Sequence, residues 1–224
     1  VALIRNRSII LLLAVVWLVG WSERVRACET ALVLAIDVSN SVDEGEYRLQ
    51  VDGLADALND PEIIDVILTE EAQLAVVQWS GTDMQMLSLD WTGFQSRTEI
   101  ESFALDVRSL PRAFRLSGTA PAEAVLFALG LFDRVADCKR HVIDLSGDGV
   151  SNAGGDVRQA RRQAEVQGVT INGIAIEAMG VALTTYYRQS IVTTDGFVIT
   201  ANGHRDYPMA IRTKLLRELS RVLG

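Results

Sequence analysis

Asp37, Ser39 and Ser41 stand at alternate positions in Asp37-Val-Ser-Asn-Ser41, directly after the apolar run Ala31–Ile36. A carboxylate and two hydroxyls in that spacing suit a nucleophile, a helix cap, a phosphate grip or a metal site. The cap explains part of the stretch: Ser41 followed by Glu44 matches a capping box, with Ser at the N-cap and Glu three residues on. It leaves Asp37 and Ser39 at the end of a buried strand, where an unpaired carboxylate is costly, so something must neutralise Asp37.

The other readings divide on spacing. An EF-hand loop beginning at Asp37 needs Gly at its sixth position and Glu at its twelfth, where Val42 and Arg48 stand. Dinucleotide and P-loop fingerprints need glycines after the first strand, and none is there; a G-x-S-x-G nucleophile elbow is also missing. An aspartyl-phosphate enzyme would carry a second acid where Ser39 stands. The two histidines, His141 and His204, are not placed by sequence to serve Ser39 or Ser41 and read as structural. A hard divalent cation accounts for more. Asp37, Ser39 and Ser41, with Thr119 of Ser117-Gly-Thr119 and Asp148 of Ser146-Gly-Asp-Gly149, supply only oxygen, which suits Mg²⁺, Mn²⁺ or Ca²⁺. Zinc would call for His or Cys at the site.

Alternating strand and helix patterns position these segments. Expected strands are Ala31–Asp37, Gln73–Ser80, an exposed edge strand Met84–Asp90 in a hairpin, Lys139–Ser146, Val169–Ile176 and Phe197–Ala201. Expected helices are Asp43–Asn59, Arg97–Val107, Pro121–Val135, Asp156–Gln167, Ala182–Gln189 and Tyr207–Leu223. The alternation predicts an α/β domain, doubly wound, with a mostly parallel sheet, one antiparallel edge strand and helices on both faces. Ligands of such sheets bind beyond the strands' carboxyl ends, where the strand order reverses, and the three polar segments can meet there. Asp144, on the pleat parity of Ser146 and Asp148, reads as a buried hydrogen-bonded Asp. Trp79 and Trp91 read as packing residues, and Asp43 and Glu46 as first-turn acids facing the helix dipole.

Residues 1–27 read as a secretory signal peptide: Arg5 and Arg7, an apolar run Ile9–Gly20, then Val25-Arg-Ala27 as a cleavage site. That run is too short for a stable membrane span. Its removal takes four Arg and one Glu from the chain's 21 basic and 29 acidic residues, leaving a formal net charge of −11. Such an acidic balance argues against nucleic acid as a partner. Export leaves residues 28–224 as one domain in a periplasmic or secreted location. Cys28 and Cys138 each precede a strand, and an oxidising compartment favours a disulfide; lipidation of Cys28 and two free thiols are the rivals.

Taken in order on an α/β frame, Asp37-Val-Ser39-Asn-Ser41, Thr119 and Asp148 resemble the metal-ion-dependent adhesion site (MIDAS) of von Willebrand factor type A (vWA) domains, whose pattern is D-x-S-x-S, then Thr, then Asp. Gln78-Trp-Ser-Gly81 and Val142-Ile-Asp-Leu-Ser-Gly-Asp-Gly149 look most like an uncharacterised group of exported bacterial vWA proteins. The resemblance covers roughly residues 30–223. It implies that the first and fourth strands are neighbours, which supports a Cys28–Cys138 bridge. It also implies a bound Mg²⁺ (or Mn²⁺/Ca²⁺) with one coordination position open to a carboxylate of a protein partner. The expected function is therefore non-enzymatic metal-dependent protein binding. A metal-assisted hydrolase or phosphotransfer enzyme using Asp37, and a structural envelope protein with a vestigial site, are the alternatives.

Overall fold

A computed structural model of the chain describes residues 28–115, 117–178 and 181–220. The expected signal peptide and the expected helix end up to Leu223 lie outside the described residues. In chain order the elements are β1 (Thr30–Asp37), α1 (Glu44–Leu58), α2 (Pro61–Thr69), β2 (Gln73–Trp79), β3 (Gln85–Gly93), α3 (Arg97–Arg108), α4 (Pro121–Leu131), β4 (Arg140–Gly147), α5 (Val157–Val166), β5 (Val169–Ile176), α6 (Ala182–Tyr186), β6 (Val198–Ala201) and α7 (Tyr207–Leu219). Two expected helices change character before they end. The helix from Pro121 tightens to a 3₁₀ turn over Phe132–Val135, and that from Ala182 widens to a π turn over Tyr187–Ile191.

The strands form one sheet in the order β3-β2-β1-β4-β5-β6, parallel except for the antiparallel edge strand β3. The chain winds outward from β1 to β3, then returns to the other side of β1 to lay down β4. The carboxyl end of β1 is thus the point where strand order reverses, and Asp37 is its last residue.

β1 is apolar throughout because both its faces are covered. Leu32, Leu34 and Ile36 face the layer of α1, α2, α3 and α7, while Ala31, Val33 and Ala35 face that of α4, α5 and α6. Trp79 is fully buried, and Trp91 packs on Phe132 and donates its indole N–H to the Leu131 carbonyl at 3.0 Å, so both tryptophans are packing residues. Beneath the amino ends of the strands Cys28 and Cys138 form a disulfide that closes a 110-residue separation.

The capping box is displaced from its expected place. Asp43, not Ser41, is the N-cap of α1: its carboxylate accepts the Glu46 N–H at 2.8 Å, and Glu46 accepts the Asp43 N–H at 2.9 Å. The expectation of Ser41 with Glu44 fails because the Ser41 hydroxyl is engaged elsewhere, and an Asp two residues on serves the cap equally well. Asp144 is buried as expected, but its partner is the ammonium of Lys214 on α7, 2.7 Å away and itself fully buried beside Glu218.

Candidate metal site

Three loops converge at the end of β1. The first carries Ser39 and Ser41 toward α1, the second brings Thr119 just before α4, and the third presents Asp148 after β4. Backbone bonds lock them together. Asn40 N–H donates to the Ser117 carbonyl at 3.1 Å, and Asn152 N–H to the Thr119 carbonyl at 3.0 Å. The Asn152 side chain in turn accepts the Thr119 N–H at 2.8 Å. Arg112 donates to the carbonyls of Val38 and Ser39 at 2.9 and 2.8 Å, clamping the first loop from outside.

All five sequence-predicted oxygen donors meet there. Thr119 Oγ1 lies 3.2 Å from Ser39 Oγ, Ser39 Oγ lies 3.1 Å from Ser41 Oγ, and Ser41 donates to Asp148 Oδ1 at 2.5 Å. Asp37 stands behind this string, fully buried. Its Oδ1 accepts the Ser39 N–H at 2.7 Å, and its Oδ2, equally buried, has no hydrogen-bond partner. Ser41 is exposed, so the cluster opens to the surface at one end.

Burial pushes the Asp37 carboxyl up to about 7, and the neighbouring Asp148 charge adds to the rise, against hydrogen bonds chiefly from Ser39. Among the described residues no cationic side chain pairs with Asp37, whose Oδ2 stays without a hydrogen-bond partner. The Tyr187 hydroxyl beside it is raised well above its ordinary value, first by burial and then by Asp37, and also lacks a partner. Gly147 makes this packing possible. A Cβ there would lie 2.6 Å from the Tyr187 hydroxyl and 2.8 Å from Asp37 Oδ2. Two carboxylates converging with three hydroxyls and an orphaned buried oxygen fit a hard divalent cation, which supplies the charge the protein lacks there.

Three neighbours of the cluster carry no sequence signal for it. Arg112 and Asn152 lie in irregular segments with no periodic signal. His204, expected to be structural, sits at the edge of the cluster: its Nδ1 is 3.1 Å from Glu46 Oε1 and its Nε2 is 4.0 Å from Asp148 Oδ2. His141 lies at the far end of β4, against Phe132, with Nε2 3.1 Å from the Val135 carbonyl.

A family model described as "Protein of unknown function (DUF1194)" matches residues 27–223. No curated protein matches the sequence. Among solved structures, proximal thread matrix protein 1 from the mussel byssus superposes with a TM-score of 0.63 at 16% identity, covering 84% of this chain and 47% of that one. A further structure of that mussel protein has a zinc-occupied MIDAS motif. A von Willebrand factor type A protein from Catenulispora acidiphila gives 0.60 at 17% identity, over 86% of this chain and 43% of that one. The vWF domain of the type V pili tip protein Mfa5 from Porphyromonas gingivalis gives 0.60 at 11% identity, over 88% and 98%. The chain spans less than half the length of the mussel and Catenulispora chains. At these identities the likeness shows the fold, which is vWA-like.

Proposed function

The chain belongs to the DUF1194 family, whose function is unknown, and from that premise we propose that it is an exported metal-dependent protein-binding module. Asp37, Ser39, Ser41, Thr119 and Asp148 hold the ion, which is Mg²⁺ or a similar hard cation. The ion in turn takes a carboxylate from a protein partner. The observation that carries this reading is the orphaned, fully buried Asp37 Oδ2 at the head of a five-oxygen cluster drawn from three loops. A cation held by only two formal charges and three neutral hydroxyls stays electrophilic and gains from an incoming anion.

The surface around the opening suits an acidic partner. Arg112 and Arg115 line a groove with Asn40 and Asp43 beside Ser41, and Arg115, paired with Glu44 at 2.9 Å, is largely exposed. Val150, 54% exposed, offers an apolar contact near Asp148. A byssal thread matrix protein and a pilus tip protein of the same fold favour a binding role. Export is supported by the disulfide, and among the described residues no helix is long and apolar enough to cross a membrane. Residues 1–27 then serve as the export signal and 28–224 as one vWA-like domain.

The hydrolase reading gains no base from His204. Its Nε2 is buried and faces the Asp148 carboxylate across 4.0 Å, which is not a group it could deprotonate. The test is capture of envelope proteins by wild type and Asp37→Ala, with and without chelator. A partner released by both the substitution and the chelator supports the reading. Capture that survives both contradicts it. Thr119→Ala and Asp148→Ala should weaken metal binding less than Asp37→Ala, because Asp37 is both charged and fully buried.

A further inference from the structure

We infer that a second metal site, for a borderline-soft dication of the zinc class, lies between His204 and Asp148 with Glu46 positioning the imidazole. His204 is 8% exposed, and its Nε2 is a buried nitrogen with no hydrogen-bond partner. It faces Asp148 Oδ2 across 4.0 Å, too far for a hydrogen bond. Zinc binds about 2.0–2.1 Å from a histidine nitrogen and about 2.0–2.2 Å from a carboxylate oxygen, so one ion fits that gap. A tetrahedral angle needs the two atoms closer by only about half an ångström. Asp148, with its side chain 12% exposed at a loop, can supply that movement.

The other side of the ring completes the arrangement. Glu46 Oε1 lies 3.1 Å from Nδ1, so a carboxylate faces the N–H side of the tautomer that keeps the Nε2 lone pair for a metal. Glu46 is itself held, because its Oε2 accepts the Asp43 N–H in the capping box of α1. The three side chains offer ligand atoms that all lie within 4.8 Å of one another. No thiol competes, because Cys28 and Cys138 are joined. A groove lined by Glu46, Asn202, Gly203 and His204 lies beside the ring. Nε2 itself is covered, so the same movement of Asp148 admits the ion, and water or a partner group fills the remaining positions.

This site goes beyond the oxygen cluster and does not require it to be filled. The two share one residue: Asp148 turns Oδ1 to Ser41 and Oδ2 to His204. With both sites loaded, Asp148 is a bridging carboxylate, and the centre combines an all-oxygen position with one that contains nitrogen.

The chain has two histidines, so each imidazole can be followed individually by NMR, with His141 as an internal control. Titration of Zn²⁺ into wild-type protein held in excess Mg²⁺ should shift the His204 ring signals saturably and leave those of His141 in place. By calorimetry, His204→Gln should lose at least tenfold in Zn²⁺ affinity and keep its Mg²⁺ affinity, which also reports that it folds. Glu46→Gln should weaken Zn²⁺ binding by about 10–100-fold, the usual effect of losing a carboxylate behind a ligating histidine. His204 signals that stay fixed at saturating Zn²⁺, or wild-type Zn²⁺ affinity in His204→Gln, would overturn the inference. Failure of the oxygen site reads out separately, as Mg²⁺ binding that is indifferent to Asp37→Ala.

Discussion

Ser41 donates its hydroxyl hydrogen to Asp148 Oδ1 at 2.5 Å, joining two loops 107 positions apart in sequence. That contact decides what Ser41 is for. Its oxygen belongs to a cluster of donors, and the start of α1 falls to Asp43.

The division of labour predicts opposite effects for two nearby substitutions. Asp43→Ala removes the N-cap of α1 and should destabilise the protein by about 1 kcal/mol. Ser41→Ala should leave stability within about 0.5 kcal/mol, as expected of an exposed side chain, while weakening Mg²⁺ binding. Urea unfolding and calorimetry on both variants separate the roles. A Ser41→Ala variant that loses the cap energy would restore Ser41 as N-cap.

Gly147 has no room for a side chain. A methyl group there would collide with the Tyr187 hydroxyl and with Asp37 Oδ2. Gly147→Ala should cost about 1–3 kcal/mol through overpacking and displace Asp37 enough to weaken Mg²⁺ binding. Retention of both wild-type stability and wild-type affinity would show that the carboxylate is less tightly confined than its packing indicates.

The buried cluster under α7 sets a pH dependence unrelated to metal. Burial pushes the Glu218 carboxyl up to about 7, with Lys214 opposing the rise, and burial also raises Asp144. A folded-state value above the unfolded one means the native protein holds the proton more tightly. The resulting stability is full below about 4.5 and is lost as pH rises through about 7, on the order of 1–3 kcal/mol. Glu218→Gln should flatten that decline in denaturant midpoints measured from pH 4.5 to 7.5. Parallel profiles for wild type and variant would rule out Glu218 as the source.

The Cys28–Cys138 bond closes a long loop at the start of β1 and β4. Replacing both cysteines by Ser should lower unfolding stability by about 2–5 kcal/mol. Because the bond lies at the opposite end of the strands from Asp37, Mg²⁺ affinity in the folded variant should be unchanged.

Much of the fold was legible because its strands are covered on both faces and read as continuous apolar runs bounded by polar turns. β1 is a clear example. The five oxygen donors were legible for a related reason: each follows a strand end or precedes a helix start, where an α/β sheet gathers its ligands. What escaped depends on tertiary proximity. Glu46 and His204 belong to α1 and to the turn before α7, and no local pattern joins them. Lys214 sits on the buried stripe of α7, where its residue type gives no sign of the ion pair it makes with Asp144. The cap was misplaced because Ser41 and Asp43 are both good N-cap residues, and only the contact to Asp148 chooses between them.

The central claim is that the Asp37 cluster holds a divalent cation. Calorimetric titration of Mg²⁺ and Mn²⁺ into the protein of residues 28–224, with Asp37→Ala alongside, tests it most directly. The account predicts saturable binding by wild type and a loss of at least tenfold in affinity for the variant. Identical isotherms for the two proteins would contradict it.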